Sequence, residues 1–234
     1  MNGIDALDPS RHAPLRDAGT RFVPGFVVGL AAEGRIVGGL GRLGVGGGTP
    51  EGAAAAAAML VAGGVTHLLS FGLAGGLDPT LRAGDLVVPA DVVDEDSCHS
   101  ADPDLLRWLG GATVARLVAG RAAVADVAAK AALFRASGAA AVDLESGAVA
   151  RVAQAHGLPF AALRVICDPA ARTLPPAALV ALDSQGAIAI LRVIAAMLRR
   201  PAQISALIRL AGDARVARAA LRSAAARLRV RDVP

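Results

Sequence analysis

Two acidic residues, Asp143 and Glu145, interrupt an otherwise apolar run at residues 141–150. Burying an unpaired carboxylate costs several kcal/mol, so an acid among apolar neighbours needs a partner in the protein or in a ligand. We therefore interpret Glu145 as the first candidate for a ligand contact and Asp143 as a structural acid.

Two further acids follow segments that are typical of buried strands. Glu33 comes shortly after the apolar segment 22–30, and Asp168 follows the segment 158–166, where Pro169 favours an extended backbone. In open α/β sheets, ligands bind outside the carboxyl ends of the strands, which makes both carboxylates candidates for a site. A solvated loop position is the competing interpretation for Glu33.

A glycine tripeptide precedes a predicted helix. Gly46, Gly47 and Gly48 lead into Thr49 and Pro50, a pair that marks a helix start as cap and first helical residue. Backbone amides at such a start can approach a phosphate or an activated water. A tight turn explains the three glycines equally well.

A second glycine-rich segment follows the predicted strand 65–71 and reads Gly72-Leu73-Ala74-Gly75-Gly76. We predict that it forms a loop and that the two glycine loops line one crevice. His67, inside the strand, is more typical of a core or interface histidine than of a catalyst.

A dinucleotide site is not supported by the glycines. Gly39, Gly41 and Gly44 satisfy the spacing Gly-x-Gly-x-x-Gly, but the acid that should bind a ribose about 20 residues later is missing. No Asp or Glu lies between Glu51 and Asp78.

Metal and disulfide chemistry are not supported either. The acid-rich segment 91–104 contains Cys98 and His99, but its irregular spacing favours an exposed loop. The only other cysteine is Cys167, far from Cys98, so we expect no disulfide, no zinc site and a reducing compartment. Lys130 is the only lysine and is interpreted as a solvated group.

The remaining segments predict a turn followed by a strand at 81–89 and strands or strand edges at 114–117 and 120–127. They also predict a helix at 130–137, a helix or helix pair at 179–198, and two further helices at 203–211 and 214–228. Four arginines of the last helix fall within about a 60° arc at 100° per residue. They are Arg215, Arg218, Arg222 and Arg229, and they lie on a different face from Leu221 and Leu228. Such a basic stripe fits either contact with an anionic membrane or a solvated face of a helix packed on the protein.

Length and composition narrow the class of protein. The 234 residues suit one large α/β domain, and aromatic residues make up only 3% of the chain, which disfavours single-stranded nucleic acid as a partner. The net charge of +4 comes from residues 199–234, which hold nine arginines and two aspartates. No signal peptide or membrane span is expected, so the predicted location is the cytoplasm, with peripheral contact to the inner face of the membrane possible.

Five motifs together resemble the purine nucleoside phosphorylase and methylthioadenosine nucleosidase superfamily. They occur in the family's order and read Gly29-Leu30-Ala31-Ala32-Glu33, Gly46-Gly47-Gly48, Ser70-Phe71-Gly72-Leu73-Ala74-Gly75-Gly76, Val142-Asp143-Leu144-Glu145-Ser146 and Arg164-Val165-Ile166-Cys167-Asp168. The resemblance implies a single α/β domain at residues 22–198, with a twisted mixed central sheet surrounded by helices. It implies a basic helical extension at 199–234 packed on that domain, and a homo-oligomer, with a dimer favoured.

The resemblance also implies roles for the candidate residues in cleaving a purine N-glycosidic bond. Asp168 is expected to protonate or hydrogen-bond the purine, and Glu33 to orient the nucleophile, as the catalytic pair. Substrate contacts are expected from Glu145 to the ribose hydroxyls and from Leu144, Gly72, Leu73 and Ala74. Phosphate or water is expected at Gly46, Gly47 and Gly48, with no metal and no cofactor other than phosphate as a possible co-substrate.

The Asp-Leu-Glu-Ser and Cys-Asp-Pro-Ala boxes are most similar to the hopanoid-associated phosphorylase branch. That likeness implies adenosylhopane as a lipid-linked substrate, with adenine and a ribosyl or phosphoribosyl hopane as products. Leu73 stands where nucleosidases commonly carry serine, and Arg35 and Arg42 are candidate phosphate ligands or plain surface arginines, so the nucleophile stays open. The alternatives are a hydrolytic nucleosidase for methylthioadenosine or another small purine nucleoside, and a noncatalytic nucleoside-binding or membrane-associated protein.

Overall fold

One mixed β-sheet with helices on both faces forms the body of the protein. The computed structural model describes residues 21–95, 97–174 and 204–233, so the predicted helix 179–198 lies outside the described residues. The strands are β1 (Pro24–Val28), β2 (Arg42–Val45), β3 (His67–Gly76), β4 (Leu86–Val87), β5 (Pro89–Asp94), β6 (Ser97–Ser100), β7 (Val114–Ala119), β8 (Ala141–Asp143) and β9 (Phe160–Asp168). The helices are α1 (Ala31–Val37), α2 (Pro50–Ala62), α3 (Pro103–Leu109), α4 (Val127–Ser137), α5 (Ser146–Ala155) and α6 (Ile204–Arg229). The predicted α/β class, with a mixed central sheet surrounded by helices, is confirmed.

Strand β3 is the central strand of the sheet. It runs parallel to β1 on one side and to β9 on the other, and its end pairs antiparallel with β8. The strand order along the main path is β2-β1-β3-β8-β7-β5-β6, while β9 pairs with β3 and β4. Because β1, β3 and β9 run in the same direction, the residues that follow their carboxyl ends meet at one edge of the sheet.

Helices cover both faces of this sheet. Alanines of α2 and α5 pack with Val27, Leu68 and Ile166 on one face, while α1, α3 and α6 pack with Phe26, Leu69 and other apolar residues on the opposite face. The small alanine side chains let α2 lie close to the sheet. Its start is as predicted, since Thr49 Oγ1 accepts a hydrogen bond from the Gly52 amide at 3.1 Å and Pro50 is the first helical residue.

The predicted glycine loop at residues 72–76 is wrong, because these residues belong to β3. Gly72 pairs with Arg164 of β9, and Gly75 pairs with both β8 and β9. Glycine favours turns when only composition is considered, but a strand glycine also allows neighbouring side chains to approach the backbone closely. At Gly72 this close approach occurs, because the side chains of Arg164 and Glu33 lie where a Cβ atom would be in contact with them.

The acid-rich segment 91–104 is not the exposed loop that its composition indicates. It holds the antiparallel pair β5 and β6 and the start of α3, where Asp102 caps the helix by accepting hydrogen bonds from two backbone amides. The described acids of this segment therefore lie in or beside a pair of strands and at the start of a helix. They form no metal cluster in the part of the chain that the structure describes.

Two other boundaries differ from the sequence prediction. Residues 120–126 connect β7 to α4 and form no strand, because Asp126 caps α4 through the Ala129 amide at 2.8 Å. The two predicted tail helices are one continuous helix, α6. An interior glycine such as Gly212 costs roughly 1 kcal/mol, which is too little to break a helix that packs along its length.

Helix α6 packs on the sheet through one face. Its buried residues are Ala217, Leu221, Ala224, Ala225 and Leu228. Arg229 Nη2 donates to the carbonyl oxygens of Ile36 at 3.0 Å and Gly38 at 2.9 Å, which links α6 to the end of α1. Among the described helices, none combines the length and hydropathy needed to cross a membrane.

Candidate active site

A cavity of about 260 Å³ opens where the carboxyl ends of β1, β8 and β9 meet. Its wall includes the three strongest sequence candidates, Glu33, Glu145 and Asp168, and much of the rest of the wall is apolar. Each of these acids follows or ends a strand, which is where ligands bind in open α/β sheets. The fold thus collects acids that are far apart in sequence into one concave site.

Arg164 lies at the centre of the charged part of the cavity. Its guanidinium is almost completely buried, and Nη2 lies 2.5 Å from Asp143 Oδ2 and 3.2 Å from Glu145 Oε2. Nη2 also donates to Ser70 Oγ at 2.5 Å. Burial opposes the charge of Arg164, but the surrounding carboxylates outweigh it and raise the pKa of the guanidinium above its ordinary value.

One carboxylate oxygen of Glu145 is hydrogen-bonded to the protein, and the other has no hydrogen-bond partner among the described residues. Oε2 accepts hydrogen bonds from Arg164, whereas Oε1 is buried without a hydrogen-bond partner among the described residues. Burial raises the pKa of Glu145 to about 7, against the lowering effect of Arg164. A buried acceptor without a partner is costly, so this oxygen is suited to receive a donor from a ligand.

Gly29 makes the placement of Glu145 possible. A Cβ atom at position 29 would lie 2.6 Å from Glu145 Oε1 and 3.0 Å from Oε2. The absence of a side chain at the end of β1 therefore leaves room for the carboxylate beside the backbone.

Glu33 is held by backbone amides. From α1, its Oε2 accepts from the Leu30 amide at 2.9 Å and its Oε1 accepts from the Leu73 amide at 3.1 Å. The side chain is buried, and burial raises its pKa, while these amides and Arg164 act in the opposite direction. Each carboxylate oxygen has two acceptor sites, so both remain able to bind a water.

Glu33 and Arg164 converge over Gly72. A Cβ atom at position 72 would lie 2.7 Å from Arg164 Nη1 and 3.0 Å from both carboxylate oxygens of Glu33. The lack of a side chain at Gly72 therefore leaves room for the Arg164 guanidinium and the Glu33 carboxylate beside the backbone. It is not among the residues that face the cavity.

Asp168 is fixed by a buried lysine. Lys130 Nζ lies 2.6 Å from Asp168 Oδ2 and also donates to the carbonyl oxygens of Asp168, Pro169 and Arg172 at 3.0–3.1 Å. Burial raises the pKa of Asp168, and the charge of Lys130 works against that rise. The Cys167 thiol, whose pKa burial also raises, donates to Asp168 Oδ1 at 3.2 Å.

A β-bulge directs these last two side chains. The pairing of β3 with β9 passes from Ala74↔Ile166 to Gly75↔Asp168, so Cys167 is an extra residue in the strand. A regular strand would send Cys167 and Asp168 to opposite faces, whereas both face the cavity here. Bulges commonly redirect side chains beside functional sites.

The structure brings together some, but not all, of the predicted site residues. The cavity wall contains Glu33, Leu73, Ala74, Leu144, Glu145, Asp168 and Gly48. Gly46 and Gly47 are not part of it, so only the last glycine of the first loop faces the cavity. Neither Arg35 nor Arg42 reaches it: Arg42 donates to the Gly63 carbonyl, and Arg35 faces a separate surface.

Two important residues were missed by sequence reasoning. Arg164 interrupts the apolar strand between Leu163 and Val165, which is the same signal that identified Glu145 and would have identified a buried partner for it. The prediction that Lys130 is solvated is wrong, since its side chain is completely buried. No local pattern reveals this, because its partner is 38 residues away.

The site holds more acid than base. Four carboxylates (Glu33, Asp143, Glu145 and Asp168) are balanced by two cations (Arg164 and Lys130) in the described residues. An environment with excess negative charge stabilises a developing positive charge and favours protonation of its own acids. It is therefore equipped for a reaction with a cationic transition state and an acid-assisted leaving group.

Comparison with known proteins gives a family and a fold. The sequence profile of the phosphorylase superfamily matches residues 19–107 and 111–199. No curated protein matches the sequence at a significant level.

Several solved nucleosidase structures share the fold. A mutant nucleosidase of Helicobacter pylori with 5'-methylthioadenosine in its active site is 19% identical, with a TM-score of 0.59, and the match covers 65% of this chain and 87% of that one. The S-adenosylhomocysteine nucleosidase of Streptococcus pyogenes is 20% identical, with a TM-score of 0.58 and coverage of 66% and 86%. The futalosine hydrolase of Helicobacter pylori is 19% identical, with a TM-score of 0.56 and coverage of 63% and 85%. At these identities the likeness establishes the fold.

Proposed function

Since the chain belongs to the phosphorylase superfamily, we propose that it is an enzyme that cleaves the N-glycosidic bond of a purine nucleoside. The observation that carries the proposal is the unpartnered Oε1 of Glu145, a buried oxygen on a residue of the cavity wall. A ribose diol supplies hydroxyl donors of the kind this oxygen lacks. Arg164, bound to the other oxygen, holds the carboxylate in place.

Asp168 is the proposed acid for the departing base. As the C1'–N9 bond breaks, the purine gains electron density, and a proton donated to its imidazole ring relieves that charge. The raised pKa of Asp168 keeps a larger fraction of the carboxyl protonated near neutral pH than an exposed aspartate would have. Lys130 fixes one of its oxygens, so the acid has a defined orientation.

Water is the proposed nucleophile. Glu33, beside Arg164, takes the proton as the water oxygen bonds to C1', and the proton from Asp168 leaves with the purine, which balances the hydrolysis. Of the cavity residues that the structure describes, Arg164 is the only arginine, and it is already bound to two carboxylates. A phosphate dianion would thus meet more acid than free base, which favours hydrolysis over phosphorolysis.

The finer proposal for the substrate is adenosylhopane, as the sequence resemblance to the hopanoid-associated branch implies. The largely apolar wall that includes Leu30, Leu73 and Leu144 suits the uncharged part of such a nucleoside. The proposal includes a homo-oligomeric enzyme whose substrate comes from a membrane. The second candidate is a nucleosidase for methylthioadenosine, which is favoured by the fold shared with nucleosidases for that compound.

Product analysis tests these proposals. The protein is incubated with adenosylhopane or with methylthioadenosine, with and without phosphate, and adenine and the sugar product are quantified. Adenine release with a free sugar in both buffers is the expected result. A sugar phosphate formed only with phosphate contradicts the choice of water, and tight nucleoside binding without adenine release contradicts the enzymatic proposal.

A further inference from the structure

Four arginines surround a second cavity, on the surface between α1 and α6. This cavity measures about 400 Å³, and its wall consists of Ala32, Arg35, Ile36, Arg218, Arg222 and Arg229. Among the residues that the structure describes, no carboxylate lies in that wall. The volume falls within the range of roughly 300–1,000 Å³ that is usual for small-molecule sites.

In the described part of the chain, the arginine side chains of this cavity have no acidic partners. Among the described residues, Arg35, Arg218 and Arg222 form no ion pair or hydrogen bond, and Arg229 donates only to the neutral carbonyls of Ile36 and Gly38. In contrast, Arg107, Arg121, Arg151, Arg164 and Arg172 each pair with a carboxylate. An isolated unpaired arginine is ordinary on a surface, but four around one concavity leave a strong uncompensated positive charge.

The packing of α6 holds these charges together. Arg218 and Arg222 are one helical turn apart, and such like-charged pairs are mildly destabilising. The adjoining face of the helix is packed in the core by Leu221 and Leu228, which keeps the arginines on the outer side of α6. Arg229 makes two hydrogen bonds to the end of α1, and these bonds join the two sides of the cavity.

We propose that this arginine cavity is a binding site for a phosphate group, separate from the active site. Guanidinium groups match phosphate oxygens with paired N–H donors, and a phosphate carries the multiple negative charge that four cations can balance. The cavity wall, as far as the described residues form it, contains no aromatic side chain on which a base could stack, so a phosphate ester or diphosphate fits better than single-stranded nucleic acid.

The two cavities lie on different faces of α1. Glu33 faces the active site, whereas Ala32, Arg35 and Ile36 face the arginine cavity. The arginine site is therefore distinct from any phosphate position beside the reacting sugar. The proposal does not depend on the proposed nucleosidase activity.

Binding measurements with matched charge variants test the proposal. The probes are inorganic pyrophosphate, followed by calorimetry, and vesicles of phosphatidylglycerol compared with phosphatidylcholine, followed by cosedimentation at about 50 mM and about 500 mM salt. The test variant is R218Q/R222Q. The control is R209Q/R227Q, which removes the same charge from exposed positions of the same helix that lie outside the basic stripe and do not line the cavity.

We expect wild-type protein to bind at least one probe in low salt and R218Q/R222Q to lose about tenfold or more in affinity, while the control changes less than about twofold. Binding of pyrophosphate alone identifies a small phosphate ligand, and binding of phosphatidylglycerol vesicles alone identifies a lipid headgroup; both support the site. Equal losses in the two variants indicate a general charge effect and overturn the proposal. So does wild-type protein that binds neither probe.

Discussion

Lys130 Nζ lies 2.6 Å from Asp168 Oδ2, and this ammonium group is completely buried. Nζ also donates to the carbonyl oxygens of Asp168, Pro169 and Arg172, so its hydrogen bonds are made inside the protein without contact with solvent. The proposed acid of the reaction is thereby tied to α4, a helix that contributes no residue to the described cavity wall. The ion pair couples the orientation and the ionisation of Asp168 to the packing of that helix.

Replacing Lys130 with methionine is expected to shift the pH dependence of catalysis. The charge of Lys130 lowers the pKa of Asp168, so its removal lets that pKa rise further. Asp168 then stays protonated to higher pH, and the alkaline limb of the kcat/KM profile moves upward. The measurement is the pH profile of K130M, with R135M, an exposed change on the same helix, as control. An unmoved alkaline limb contradicts the coupling.

The same substitution is expected to lower the free energy of unfolding by about 3 kcal/mol, because it leaves a buried carboxylate without its partner. The double variant K130M/D168N removes both charges and should recover most of that loss. Denaturant unfolding of the two single variants and the double variant measures the interaction. Strictly additive losses would show that the two side chains do not stabilise each other.

Replacing Asp168 with asparagine is expected to reduce kcat for a purine nucleoside by about 10²–10⁴-fold, because the acid for the leaving base is removed. A riboside of 4-nitrophenol supplies the control, since nitrophenolate leaves without a proton. Its rate should change far less in D168N than the rate with adenosine. Equal losses for the two substrates are inconsistent with an acid role.

Glu145 is expected to make nucleoside binding pH-dependent. Its pKa is about 7, so the carboxylate that accepts best from a diol predominates above that pH and is lost below it. The KM of wild-type protein should therefore fall as the pH rises through about 7, and in E145Q this dependence should disappear. A 2',3'-dideoxynucleoside, which lacks the diol, serves as control and should bind both proteins alike. A preference of wild type over E145Q for that analogue argues against diol recognition.

The raised pKa of Glu145 also has a consequence for stability. Its ordinary value is 4.5 and its folded value about 7, so between these pH values the unfolded state loses a proton that the folded state keeps. The free energy of unfolding of wild type, relative to E145Q, should fall across this window and level off above it, with a total on the order of 3 kcal/mol. Denaturant unfolding from pH 4 to pH 8, at about one-unit steps, measures this difference. A difference that is constant with pH contradicts the assignment.

Replacing Gly29 with alanine is expected to reproduce the effect of E145Q without touching an acid. The new Cβ would lie 2.6 Å from Glu145 Oε1, so the carboxylate must shift away from its position beside β1. KM for a ribonucleoside should rise more than KM for its dideoxy analogue. G38A is the matched control, because its nearest neighbour would be the Arg35 carbonyl oxygen at 3.6 Å. Identical KM values for wild type and G29A contradict the proposed position of the diol.

Local patterns were sufficient for much of the fold. The Thr49-Pro50 start of α2 depends on neighbouring residues only, and the apolar run of β9 is long enough to indicate a buried strand. The errors arose where composition and pairing disagree. Glycines at 72–76 favour a loop by composition, yet pairing with β9 and β8 holds them in a strand.

The sequence by itself determined which acids need partners, because a carboxylate in an apolar run is costly wherever the run is placed. Glu145 could be selected on that ground alone, and Arg164 could have been selected in the same way. Only the tertiary structure decided which partners they find. Arg164 reaches Glu145 across 19 residues of sequence and Lys130 reaches Asp168 across 38, through strand register, a bulge at Cys167 and the packing of α4. These two pairings depend on how strands and helices pack against each other, which no local pattern of residues specifies.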